Sequence, residues 1–224
     1  METFFEPTEF IFLPRRSAGV WPMVKQTRSE LKHQAIVAAA HEIFLRKGFS
    51  AASMDEIAEA AGVSKRTVYS HFGSKEDMFI ALLERKCTAT RENFVSNADE
   101  TAPIDETLRE LGRDFLAMIF QDETLKMFRI LAAEADNFPD IGRRFFESGP
   151  EMSTAAVAQY LERQKVLGVI DVEDAFQSAG TLMSAMMNKR LIACLLKAAP
   201  IPTADEREDM ARRTVAMFLD GVRR

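Results

Sequence analysis

The sequence predicts an all-α protein, with an N-terminal three-helix helix-turn-helix head and a larger C-terminal helical body. Apolar residues recur at helical spacing along most of the chain. The 224 residues include only 10 Gly and 8 Pro, too few for a turn-rich β fold, and Pro103, Pro139, Pro150, Pro200 and Pro202 fall near expected element boundaries. Between residues 31 and 75, start and stop signals for short helices follow one another closely. At 47% hydrophobic residues, the chain can bury one sizeable core, or a small domain attached to a larger one.

The first helix is expected over Leu31 to Lys47, with Ile36, Ala40, Ile43 and Phe44 on one face and Gly48 as its stop. Phe49 then seals the apolar cluster. Ser53 is an N-cap, and Ser53-Met54-Asp55-Glu56 reads as a capping box. Ile57, Ala58 and Ala61 form the buried face of a second helix. Gly62 supplies the left-handed residue that turns the chain, and Ser64 caps a third helix that ends by Gly73. Val63, Val68 and Phe72 give that third helix its apolar contacts, and Ser74 with Asp77 resembles another capping box. Helices below about 12 residues are marginal alone, so the second and third must pack on the first.

The third helix leaves a positive, polar face. A Lys-Arg pair on a short helix is ordinarily just a solvated surface. Together with two caps and a glycine turn at this spacing, Lys65 and Arg66 in a first turn read as a recognition helix presented to the major groove. Arg66 suits a guanine edge, and Thr67 a base or a thymine methyl. Lys65, Tyr69, Ser70 and His71 suit phosphate oxygens, and Lys75 at the next helix start adds another contact. Ser53 completes the set from the second helix. Upstream, Lys25, Thr27, Arg28 and Lys32 are expected to form a flexible arm along the backbone or in the minor groove.

The formal net charge of −5 argues against nucleic acid until its distribution is considered. Residues 24–75 hold eight basic and five acidic side chains, a net +3, so the remainder carries −8. An acidic body on a basic head fits a protein that meets DNA through one face. Catalysis is not expected. His33, His41 and His71 are the only histidines, and no phosphate loop, zinc spacing or nucleophile elbow accompanies them. No metal or cofactor is expected. Cys87 and Cys194 read as isolated buried thiols, which fits a reducing, cytoplasmic setting. Charges interrupt every apolar run before the roughly 20 residues a membrane span needs. Residues 1–24 read as a loose tail. Glu2, Glu6 and Glu9 stand where a signal peptide is positive, Pro7 and Pro14 break the apolar run, and translation is a candidate to begin at Met23.

After the head, a long helix is expected from Lys75 to about Asn97, with Phe79, Leu82 and Leu83 starting its buried face. Further helices are expected over Ile104 to Phe120, Glu123 to Asn137, Pro139 to Ser148, Pro150 to Leu167, Val172 to Lys197 and Ala204 to Val222. The Val172–Lys197 segment is apolar on more than one side, so it must be buried on more than one side.

The run Ala35-Ile36, Ala40, Phe44, Gly48-Phe49, Ser53, Ile57-Ala58, Ala61-Gly62-Val63-Ser64, Tyr69, His71-Phe72, Ser74-Lys75 and Leu82 resembles the DNA-binding domain of the TetR family of bacterial regulators. Arg129-Ile130-Leu131, Glu134-Ala135, Asn137-Phe138-Pro139-Asp140, Phe145-Phe146 and Gly149-Pro150 resemble the ligand domain of its AefR-like subgroup. The resemblance implies a homodimer on a double-stranded DNA operator, usually a repressor released by a small molecule. It maps phosphate contacts onto Lys65, Tyr69 and His71. Many members carry two adjacent tyrosines; here Ser70 follows Tyr69 and is shorter.

The implied organisation is a tail over 1–24, a head over 25–78 and an effector-binding, dimerising body over 79–224. Candidate effector contacts are Phe115, Met118, Ile119, Phe128, Leu131, Phe145, Met152, Phe176 and Met183, in a pocket for an apolar or amphipathic ligand. Candidate dimer contacts on the last two helices are Met186, Arg190, Met210, Thr214, Met217 and Phe218. The rival reading is a ligand-independent nucleoid-associated or adaptor protein on the same fold.

Overall fold

The computed structural model describes residues 27–99 and 101–222. Thr27 starts the first helix. Its hydroxyl accepts the Glu30 N–H at 3.2 Å, and the Glu30 carboxylate accepts the Thr27 N–H at 2.6 Å. This closed capping box begins α1 at Arg28, and α1 spans Arg28–Lys47, three residues before the expected start at Leu31. Thr27, Arg28 and Lys32 are therefore cap and helix rather than a flexible arm; Lys25 and the expected tail lie outside the described residues.

Two short helices follow, α2 over Met54–Ala60 and α3 over Lys65–His71. Gly48 and Gly62 carry the chain out of α1 and α2 at φ of 80° and 65°, where a side chain would be strained. Ser53, Ser64 and Ser74 each accept the N–H three residues ahead. Only the serine half of the two expected boxes forms. Glu56 turns back to Arg46 and Lys47 at the end of α1, at 3.1 and 2.7 Å, and Asp77 takes Arg144 at 2.7 Å. A full positive charge competes better for a carboxylate than one neutral N–H does. Ile36, Ile43, Phe44, Phe49, Ile57 and Val68 fill the head's core.

The helix α4, Lys75–Asn97, runs without a break across residues 78 and 79. It leads to α5 (Ile104–Ile119), α6 (Asp122–Glu134) and α7 (Pro139–Phe146). The body is completed by α8 (Met152–Val166), α9 (Ala175–Leu195) and α10 (Ala204–Val222). Pro150 does not open a new helix as expected. Residues Glu147–Glu151 form a π-helical turn that joins α7 to α8. The wider turn relieves the clash between the proline ring and the preceding turn, and Thr154 Oγ1 donates to the Pro150 carbonyl at 3.0 Å.

α5 packs against α10 and α9 at Gly112. A Cβ there would stand 2.9 Å from Ala211 Cβ and 3.1 Å from Met186 Cε, so glycine sets how close these helices come. α9 is kinked at Asn188 (φ 40°, ψ −159°), whose side chain accepts the Arg190 N–H at 2.8 Å and restarts the helix. Arg129 of α6 donates to the carbonyls of Cys194 and Leu195, closing the C-terminal end of α9.

Head and body touch along α6 and α7. Glu134 accepts the Ser50 N–H at 3.1 Å and its hydroxyl at 2.7 Å, and the Phe49 and Phe138 rings stand 5.0 Å apart, edge to face. His41 of α1 faces Glu123 of α6 at 3.8 Å, with Lys86 of α4 beside it. Its buried Nε2 has no hydrogen-bond partner, and burial pulls the imidazole below its usual pKa despite the carboxylate. The folded state thus prefers neutral His41, whereas the unfolded chain protonates near pH 6.5. The stability this contributes is present above about pH 6.5 and is lost as pH falls toward the lowered folded value. Thermal melts from pH 7.5 down to about 5.5 should fall more steeply for the native chain than for His41→Gln. Parallel curves for the two would contradict this environment.

Candidate nucleic-acid interface

α3 is held by one side and offers the other. Val68 is fully buried against the head core, and Phe72 follows it there. Lys65, Arg66, Tyr69 and Ser70 all face solvent, with Tyr69 46% exposed. Lys65 Nζ lies 2.8 Å from the Asp55 carboxylate of α2, which raises the ammonium's pKa by hydrogen bonding and charge. Both groups are exposed, so a phosphate could take over this lysine. Arg66 has no carboxylate partner among the described residues, so its whole guanidinium fork is available.

The other candidates have local duties as well. Thr67 Oγ1 lies 2.8 Å from Ser64 Oγ, and Ser70 Oγ donates to the Thr67 carbonyl at 2.7 Å. Ser53 is occupied as the α2 cap. His71 is half-buried beside His33, with ring centroids 5.5 Å apart, while His33 stacks on Phe72 at 5.1 Å. Sequence reasoning misses His33 in this role, because its place on the exposed side of α1 gives no distinguishing signal.

Lys75 departs from expectation. Its ammonium donates to the carbonyls of Phe49, Ser50 and Ala52 at 2.9, 3.3 and 3.1 Å, and sits 4.4 Å above the Phe49 ring centroid. An ammonium has three donors, and all three are used within the α1–α2 loop. Lys75 pins that loop to the start of α4 instead of reaching toward a phosphate.

The body candidates do not converge on one pocket. Phe115, Met118, Ile119, Phe145 and Met183 are buried, Phe128 and Leu131 half-buried, and Met152 and Phe176 are surface residues, each 50% exposed. Met118 and Phe128 border a cavity of about 20 Å³ shared with His41, Lys86, Cys87 and Thr124, room for about one water. The Phe128 and Phe145 rings pack on each other, with centroids 5.8 Å apart. A larger groove of about 530 Å³ lies between α4, α7 and the π turn, lined by Glu84, Thr88, Arg91, Arg144, Glu147, Ser148 and Met152. Of the nine candidates, only Met152 lines it, and the other six lining residues are polar or charged.

The dimer candidates also divide. Met186 and Thr214 are buried within the monomer, because Gly112 draws α9 and α10 onto α5. Arg190, Met210 and Phe218 are half-buried, and Met217 is 64% exposed. Ile192 and Leu196, beyond the α9 kink, are apolar yet 61% and 73% exposed. Among the described residues, no helix is long and apolar enough to cross a membrane.

Residues 36–82 match the family described as bacterial regulatory proteins, tetR family, and residues 106–221 match the AefR-like transcriptional repressor C-terminal domain. The transcriptional activator FasR of Mycolicibacterium smegmatis is 48% identical over 58 residues, 26% of each protein. The transcriptional repressor AcnR of Corynebacterium diphtheriae is 26% identical over 147 residues, 66% of this chain and 72% of that one. The alignments thus span about a quarter of FasR, and 35% of the regulator YdeS of Bacillus subtilis. Among solved structures, a TetR-family regulator of Mesorhizobium loti superposes with a TM-score of 0.78 at 29% identity, over 89% of this chain and all of that one. The flavonoid-responsive regulator FrrA gives 0.72 at 32% identity, over 86% of this chain and 97% of its own.

Proposed function

The chain belongs to the TetR family of bacterial regulatory proteins, and from that premise we propose that it is a DNA-binding transcriptional repressor, released from its operator by a small ligand. Val68 carries the reading: buried on one side of α3, it holds Lys65, Arg66 and Tyr69 outward on the other. We take residues 25–78 as the head and 79–224 as the effector-binding and dimerising body. Two copies paired through Ile192, Leu196 and Met217 place two recognition helices on one duplex. The half-sites should lie about 34–36 Å apart, or a multiple of that.

Release works by population shift. The ligand favours a dimer whose heads are wrongly spaced, and it weakens DNA binding only by its differential affinity for the two forms. A hundredfold loss of operator affinity needs about 2.7 kcal/mol of coupling. The contacts of Glu134 with Ser50, Arg144 with Asp77 and Phe138 with Phe49 are the structural means by which a shift of α6 and α7 reaches the head.

The test is operator binding at several salt concentrations. Lys65→Ala should weaken all duplexes alike and flatten the salt dependence by about one unit for each phosphate left untouched, hence about two in a dimer. An unchanged slope removes Lys65 from the phosphate-binding set. Specific binding that no metabolite relieves would favour a ligand-independent nucleoid-associated or adaptor protein. FasR is named an activator and AcnR a repressor. Reporter assays with the operator placed upstream of and across a promoter therefore decide the sign of regulation here.

A further inference from the structure

Two cations open α3, and the head treats them differently. Arg66 has no carboxylate partner among the described residues. Lys65 reaches back to α2, where its Nζ lies 2.8 Å from Asp55 Oδ1 and 2.9 Å from Asp55 Oδ2. Asp55 sits in the first turn of α2, so this pair joins the two helices of the motif across their turn.

The fold does not need the pair. Both side chains are more than half exposed, and exposed ion pairs add little to stability. α2 and α3 are already held by Ile57 and Val68 in the core and by the caps Ser53 and Ser64. The neighbouring carboxylate, Glu56, has a different duty, since it braces the end of α1 through Arg46 and Lys47. What Asp55 changes is the availability of the only lysine on the recognition helix.

We propose that Asp55 is an internal competitor for Lys65: it occupies the ammonium that a phosphate must take, and so limits how tightly the head holds any duplex. The proposal rests on the DNA-binding reading above and adds a residue that opposes the contact. A carboxylate oxygen and a phosphate oxygen offer an ammonium the same kind of charge-assisted bond. One is exchanged for the other on binding, so each protomer gains only the difference. The released carboxylate then remains beside the contact, well within a Debye length of the phosphates. Neither effect depends on base sequence, so the discrimination supplied by Arg66 is left intact. Exposure keeps the exchange open, whereas a buried pair would withhold the lysine altogether. Two such exchanges occur in each dimer.

Fluorescence anisotropy of the full chain with a labelled duplex of random sequence tests the role. Asp55→Asn, equal in shape and uncharged, should bind about two- to thirtyfold more tightly, the span that exposed ion pairs cover when counted twice. Asp55→Ala should gain similarly, Asp55→Glu should stay near the native affinity, and all three should melt close to the native chain. In a Lys65→Met background most of the gain from Asp55→Asn should vanish, because the group that Asp55 competes for is gone. The ratio of operator to random-duplex affinity should not move. No gain from either uncharged variant, or an equal gain with and without Lys65, overturns the proposal; the second result makes Asp55 a general repulsive charge. A ratio that falls makes Asp55 a base contact and overturns it as well. Native binding with an unaltered Asp55→Asn removes only the competitor, whereas a native chain that binds no duplex at low salt removes the DNA-binding reading and this role together.

Discussion

Replacing Phe49 by alanine should destabilise the protein by about 3–5 kcal/mol, the range for emptying a large aromatic site in a packed core. Phe49 is fully buried, and its ring centroid lies 5.9 Å from Phe44, 5.2 Å from Phe79 and 5.0 Å from Phe138. These rings come from α1, α4 and the α6–α7 corner, so one truncation opens the head core and parts the head from the body together. The Lys75 ammonium above the ring also loses the face it rests on. Helicity followed through a urea titration measures the destabilisation, and Phe49→Leu should recover more than half of it. An alanine variant within about 1 kcal/mol of the native chain would show that the four rings do not pack as one cluster.

Arg66→Ala should have its effect on recognition and not on stability. The side chain is exposed and makes no internal ion pair among the described residues, so folding should change by no more than about 0.5 kcal/mol. A bidentate arginine–guanine contact discriminates by about 1–3 kcal/mol, and a dimer makes it twice, so specific affinity should drop by about 2–6 kcal/mol. Arg66→Lys should rescue little, because a point charge cannot replace the fork. The salt slope should stay nearly constant, in contrast to Lys65→Ala. Competition between operator and random duplex resolves the two. Uniform weakening on both, with a shallower slope, would make Arg66 a phosphate contact.

Local signals are legible in the sequence because they are satisfied locally. Ser53, Ser64 and Ser74 cap the helices the sequence assigns to them, and Gly48 and Gly62 turn the chain where expected. Thr27 with Glu30 three residues later carries the same capping-box signal as Ser53 with Glu56, yet the basic residues around it favour the reading of an arm. Side chains whose partner is distant in sequence are not legible. Lys75 looks like any cation at a helix start until the loop from Phe49 to Ala52 folds beneath it, and Asp77 and Glu56 look like box residues until Arg144 and Lys47 arrive. α9 is apolar nearly all round, so periodicity does not show that Met186 faces inward while Ile192 faces out; the kink at Asn188 lies between them.

The ties that Lys75 makes belong to a wider pattern of engaged cations in the head. Arg46 and Lys47 are held by Glu56, Lys65 by Asp55, and Lys75 by three carbonyls. Carboxylate pairing therefore weakens the field that Arg46, Lys47 and Lys65 send to a passing duplex, while Lys75, bound to neutral carbonyls, keeps its full charge beside Arg28, Lys32 and Arg66, which have no carboxylate partner among the described residues. Weak attraction to arbitrary sequence means brief dwell times and short lateral excursions along the chromosome. Fewer molecules are then sequestered at irrelevant positions, which raises occupancy of the cognate site at any given copy number.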